Sequence, residues 1–234
     1  MTQGIRAFKN GEFAAAVDRF KTTLAADPVC TTAHLYLATA YMQQFIPGAD
    51  SLDNLAMASA ATEQFDIVLQ QEPDNRLALA SEASLYFNQK KLDEAATWYK
   101  KLIAVAPQSH EAFYTLGVIA WTRVQEPIQK ARQDSGMKLE DPGPIRDAAV
   151  RGALRTNYMP VIEEGMDSLH EALAMNPEYT DAMAYMNLLY REKADLEESP
   201  RTYAEDMAQA DRWFQKTIDT RIAVASGKPG SPLQ

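Results

Sequence analysis

Prolines stand at 28, 73, 107 and 177, and each closes the same arrangement of small and large side chains. Twelve residues before them lie Ala16, Ala61, Ala95 and Gly165, all small, and eight before lie Phe20, Phe65, Tyr99 and Leu169, all large. Leu24, Leu69, Ile103 and Leu173 fall four before. Beyond each proline the frame continues, with Ala33, Ala78, Ala112 and Ala182 at five and Tyr41, Tyr86, Ala120 and Tyr190 at thirteen. A pattern that recurs in this way constrains folding more than any single motif. Each unit has an apolar face that a neighbouring unit must cover, so the chain must stack.

The spacing predicts two helices per unit. Small, large and apolar positions four apart share one helix face, and the small one lets another helix come close. Proline then ends that helix, because it lacks an amide donor and restricts the residue before it. The following helix carries a small or polar residue ten after the proline: Ala38, Ala83, Gly117 and Asn187. Short turns such as Asn10-Gly11 and Lys90-Lys91 return the chain, which makes each unit an antiparallel helical hairpin.

These features resemble the tetratricopeptide repeat family. Pro73 to Pro107 spans 34 residues, the period of that family. Residues 112–117, AFYTLG, are similar to its opening helix, and Gly11-Glu12-Phe13 with Ala16, Phe20 and Pro28 to its second half. Ala210, Trp213 and Phe214 repeat the spacing of Ala95, Trp98 and Tyr99, with Ile222 where the proline would stand. The resemblance implies an all-α, right-handed superhelical solenoid of helical hairpins, one domain over residues 1–225. Its five repeats are placed at about 1–28, 29–73, 74–107, 108–177 and 178–222, with a flexible tail at 226–234.

Departures from the period locate the additions. Pro28 to Pro73 and Pro177 to Ile222 are both 45 residues, eleven more than the period, placed partly in the turns Ile46–Ser51 and Ala194–Pro200 and partly in longer second helices. Pro107 to Pro177 is 70. A hidden repeat there would need small, large and apolar residues where Lys130, Asp134 and Lys138 stand, so residues 124–158 read as an insertion. Glu126-Pro127 is expected to break the preceding helix, with turns at Asp134-Ser135-Gly136 and Asp141-Pro142-Gly143-Pro144. Ile145 to Tyr158 reads as a further helix with Ile145, Ala149 and Leu154 on its apolar side. Its basic residues, including Arg132 and Arg155, point to a solvated excursion or to a partner-specific element.

Composition excludes several functions. A net charge of −9 opposes a nucleic-acid partner, which needs a dominant basic surface. No apolar run reaches membrane-spanning length and no signal peptide is visible. Gly4 and Ala7 occupy places of an opening helix whose first turn is missing. A chain cut from a longer one would have lost any upstream export signal, so the expected compartment is cytoplasmic or, in that case, periplasmic. His34, His110 and His170 have no common place in the frame and no metal-ligand spacing. Ser168 and His170, two apart on a helix, do not face each other. Acidic pairs at Asp93-Glu94, Glu163-Glu164 and Glu197-Glu198 read as helix-start residues that complement the dipole. Glycines are scattered, with no phosphate loop. The chain reads as a non-enzyme with no cofactor and no metal.

The resemblance places partner contacts on the first helix of each repeat. Mapped here, the groove residues are Leu35, Thr39 and Met42 in the second repeat, and Leu77, Ser84, Phe87 and Asn88 in the third. The fourth contributes Tyr114, Val118 and Trp121, and the fifth Leu188 and Arg191. This set is mostly apolar and aromatic, suited to a protein or peptide partner. The basic clamp that some members use for a terminal carboxylate is absent, since Leu35, Ala80, Tyr114 and Ala184 stand seven after the prolines. The expected function is a non-catalytic scaffold that docks a peptide or helix in an apolar groove. Two alternatives stand beside it: self-assembly through uncapped solenoid ends, giving a homo-oligomer, and a small-ligand or enzyme site built by residues 124–158.

Overall fold

A computed structural model of the chain describes residues 1–138 and 140–226. Leu139 and the expected tail beyond Ser226 lie outside them. Packing divides the chain into two compact units, Met1–Pro107 and the remainder from Gln108. The first holds α1 (Thr2–Lys9), α2 (Phe13–Ala26), α3 (Thr31–Met42), α4 (Leu52–Gln71), α5 (Arg76–Asn88) and α6 (Leu92–Val105). The second holds α7 (His110–Asp134), α8 (Ala148–Met175), α9 (Thr180–Asp195) and α10 (Pro200–Ala225). The described residues contain no strand, as the helical spacing predicts. Contacts are richest between α3 and α4, α5 and α6, α7 and α8, and α9 and α10, each pair a hairpin, while α2 packs about equally on α1 and α3.

Small residues set how closely the helices of a hairpin approach. Ala16, Ala61 and Ala95 are fully buried, as are Phe20, Phe65 and Leu169 at the large positions. Burying one such large side chain stabilises by about 1.5–3 kcal/mol. A side chain at Gly4 would strike the Phe20 ring at 2.7 Å, and one at Gly117 would collide with Leu169. Both pairs are the same contact, the first helix of a hairpin against the large residue of the second. Gly165 would collide with Ala120, which explains an irregularity in the frame. Where other repeats carry a tyrosine and an alanine at these two places, this one carries Ala120 and Gly165, and the two are in close contact.

Two turns show what the backbone requires. Gly11 ends α1 with φ +77°, a left-handed conformation that glycine adopts freely. Lys90 stands at the corresponding point of the third hairpin with φ +59°. A side chain there costs about 1 kcal/mol.

The long fourth repeat departs from expectation. Pro127 does not break its helix, since α7 runs 25 residues through it to Asp134. Proline forfeits one amide hydrogen bond, but Val124 and Ile128 on either side are 0% exposed and hold the helix in the core. The expected separate helix from Ile145 to Tyr158 is also corrected. α8 starts at Ala148, with the Asp147 side chain accepting from the amides of Ala149 and Val150, and continues 28 residues through Pro160 to Met175. Glu163-Glu164 therefore lies in its interior, away from any helix start. Ile145 precedes the helix, fully buried, and its amide donates to the Asp195 carbonyl at 3.0 Å. Ala149 is exposed, and Leu154 packs against the core. The first surplus is found where the sequence put it, in the connection after α3 and in the long α4, whereas the second lies in α9 and α10 themselves, because the expected turn Ala194–Pro200 shrinks to residues 196–199.

Nor is this segment simply a solvated excursion. The buried Arg132 guanidinium donates to Asp195 and to the carbonyls of Lys138 and Asp141, at 3.3 and 2.6 Å. Arg155 pairs with Glu197 at 3.1 Å, and Lys193 bridges Glu197 and Asp206. Arg132 thus ties the connection between α7 and α8 to the end of α9, Arg155 ties α8 to the connection after α9, and Lys193 ties α9 to α10. Burial raises the Asp195 carboxyl while Arg132 draws it back down. Removing Arg132 would strand a buried carboxylate, so Arg132→Ala should cost about 3 kcal/mol in denaturant melting. A cost near zero would place the guanidinium in solvent.

Candidate partner-binding site

The expected groove residues are divided between the two units, and burial treats them differently. In the first unit, Leu35, Thr39 and Met42 on α3 are half-buried, as are Ser84, Phe87 and Asn88 on α5, while Leu77 is 56% exposed. Thr39 spends its hydroxyl on the Leu35 carbonyl at 2.8 Å. Leu35 and Met42 lean against the core cluster of Phe65 and Leu85. α3 and α5 touch, so these residues sit on neighbouring first helices, as the repeat frame implies.

In the second unit the corresponding residues are engaged. Val118 is buried. Tyr114 stacks at a tilt on Tyr179, with centroids 4.8 Å apart, and meets Tyr185 edge-on at 5.7 Å. Trp121 meets Tyr185 edge-on at 5.6 Å. The cover over both rings comes from α9 and its preceding turn. Burial raises the Tyr114 phenol well above its usual range, with Tyr185 and Tyr179 adding to the shift. The indole Nε1 of Trp121 is buried without a hydrogen-bond partner and leans toward Glu192. Burial pushes the Glu192 carboxyl up to about 8, reinforced by Asp195 and opposed by Trp121 and Arg132. Leu188 is half-buried, and the exposed Arg191 pairs with Asp211 at 2.9 Å.

Sequence reasoning missed a cleft of about 610 Å³ in the first unit. Phe45, Leu55 and Ala58 give it apolar walls, Tyr86 and Thr62 form another side, and Asn88, Lys90 and Lys91 line it from the turn after α5. Ile46, Leu52 and Leu55 are 64%, 85% and 46% exposed in the same connection and helix. The signal for it was present, because the first eleven-residue surplus lies in this connection. Within residues 124–158, a small hollow of about 50 Å³ lies beside Arg132 and Met137. That is room for water, too little for a metabolite.

His34 and Ser168 are both occupied. His34 is buried between Gln64, 2.8 Å from Nδ1, and the Pro28 carbonyl, 3.0 Å from Nε2. Ser168 donates to the Glu164 carbonyl at 2.9 Å. Among the described residues no group of His, Cys, Asp and Glu could hold a metal, and no helix is long and apolar enough to cross a membrane.

Stacked hairpins with this frame define a helical-repeat protein. Over the first unit, at residues 1–44 and 49–110, the chain matches the model of the tetratricopeptide repeat family. The CTR9 homolog of Arabidopsis thaliana is 30% identical over 129 residues, which are 54% of this chain and only 12% of that much longer protein. Among solved structures, a crystal structure of MamA superposes with TM-score 0.65 at 16% identity, covering 97% of this chain and 98% of that one. MamA from Desulfovibrio magneticus RS-1 gives 0.56 at 16% identity, with 92% of each chain covered. At such identities the likeness is one of fold.

Because Tyr185 and Glu192 already half-bury Trp121, Trp121→Ala should cost about 2 kcal/mol, below the roughly 3–5 kcal/mol of a fully buried ring. Thermal melting checks it. An unchanged midpoint would mean that the ring faces open solvent.

Proposed function

We propose that this repeat scaffold docks an apolar peptide or helix on the α3 and α5 face of its first unit, through Leu35, Thr39, Met42, Leu77, Ser84, Phe87 and Asn88. The supporting observation is Leu77, a large apolar side chain left 56% exposed at the start of α5, the helix whose other end carries half-buried Phe87. Large apolar and aromatic groups of this kind supply most of the energy of a protein interface. In the second unit the corresponding aromatic rings are paired with α9, and they have less area to offer. Catalysis has no part in this reading.

A second reading is favoured by the cleft beneath Lys90 and Lys91. Its volume of about 610 Å³ suits a compact ligand or the end of a peptide. The carboxamide and ammonium groups on one side, facing an apolar wall, suit an anionic group joined to an apolar one.

A photo-crosslinking residue at position 77, with another at exposed Phe214 as control, should capture the partner only from position 77. The double variant Leu77→Asp, Phe87→Ala should weaken binding of the captured partner at least tenfold, about 1.4 kcal/mol, with little change in melting. Undiminished binding would refute the α3 and α5 face. Loss on Lys90→Glu, Lys91→Glu instead would move the site to the cleft.

A further inference from the structure

The third hairpin buries an ionisable side chain that nothing holds. Glu82 lies in the middle of α5, is 0% exposed, and neither carboxyl oxygen has a hydrogen-bond partner. The repeat frame shows how foreign it is there. Nine residues after Pro28, Pro107 and Pro177 stand Leu37, Leu116 and Met186; only after Pro73 is the residue a glutamate. Leu37 is 3% exposed and Met186 0%, so this is a core position of the hairpin. A buried carboxylate without partners costs many times what an apolar residue would gain, and the group avoids that cost by staying neutral.

Its surroundings do not rescue the charge. From α4 the facing group is Asp66, which repels a carboxylate, and from α6 it is Lys101, which favours one. On α5 itself the nearest titratable group is the Tyr86 phenol, one turn further on and held by Thr62 of α4. Glu94 of α6 acts on that phenol as well. α3 touches α5 more lightly, and between Thr31 and Met42 it has no Asp, Glu, Lys or Arg. Its His34 is already held by Gln64 and Pro28. Tyr86 and Thr62 are also lining residues of the open cleft, so solvent stands one helical turn from the buried carboxyl.

We propose that Glu82 is a proton-operated latch. As the neutral acid it keeps α5 seated between α4 and α6. On ionisation it draws water in past Tyr86 and Thr62, which loosens α5 and reshapes the cleft. The direction of its titration agrees with this geometry. Burial, followed by Asp66, pushes the carboxyl up to about 8, and Lys101 only partly opposes them. The unfolded chain would ionise the same group near 4.5. Between these values the folded state binds the extra proton, so this group makes stability fall as pH rises through that window and level off above it.

Glu192 titrates in the same range, so the test compares variants rather than a single pH curve. Thermal melts of the full chain and of Glu82→Gln should be run from about pH 5 to about pH 9. The variant's advantage in melting temperature should grow by on the order of 5 °C or more across that range. Amide exchange in α5, corrected for intrinsic rates, should accelerate with pH in the wild type and not in the variant. Parallel melting curves, or a pH-independent α5, would overturn the latch. If Glu82→Gln does not fold, Glu82→Leu, which restores the residue of the other repeats, serves the same comparison. A carbon-13 titration of the wild-type Glu82 carboxyl stands independently of both variants, and a midpoint in the ordinary glutamate range would also overturn it.

Discussion

One contact recurs through the chain: a small residue on the first helix of a hairpin against a large one on the second. Gly4 with Phe20 and Gly117 with Leu169 are two instances, and in each a methyl group on the glycine would have no space. Interiors are packed at crystal-like density, so such a contact is satisfied in full or costs stability. Every other feature of a repeat follows from it. The proline stops the second helix, the next small residue receives the next hairpin, and the spacing between copies sets how much chain is left for connections.

Where the rule is broken, the structure compensates. Asn187 stands where other repeats have alanine or glycine, and its side chain donates to the Ala210 carbonyl at 2.6 Å. Ala120 gives up a tyrosine so that Gly165 can approach. Phe214 occupies the large position of the fifth repeat yet is 54% exposed, so that hairpin does not repeat the contact. Glu82 breaks the rule without compensation. A local conflict of that kind in an otherwise consistent chain marks a place where stability has been traded for something else.

Much of this was legible in the residues. The hairpins, the close-packing positions and both eleven-residue expansions follow from counting outward from four prolines. What was not legible is equally physical. Pro127 and Pro160 are helix breakers by local rule, but each lies within two residues of a fully buried one, Ile128 and Ile162, and tertiary burial outweighs one lost hydrogen bond. Arg132 looked solvated because its carboxylate partner, Asp195, is distant in sequence, and because spacing does not show that the loop carbonyls of Lys138 and Asp141 turn back onto it. Trp121 and Tyr114 fell on the expected face, but Tyr179 and Tyr185, which occupy them, belong to no position of the frame. The cleft in the first unit and the exposure of Leu77 depend on which side chains remain uncovered, and periodicity does not count that.

A double-mutant cycle on Gly117 and Leu169 reads the small-against-large contact itself. Gly117→Val should destabilise the chain strongly, because its new methyl groups meet the Leu169 side chain. Leu169→Ala should also destabilise it, by opening a cavity. Combined, the two should cost less than their sum by at least about 1 kcal/mol, since each relieves the other. Additive losses in equilibrium denaturation would show that the helices of this hairpin do not meet there, and the packing rule on which the fold rests would be wrong.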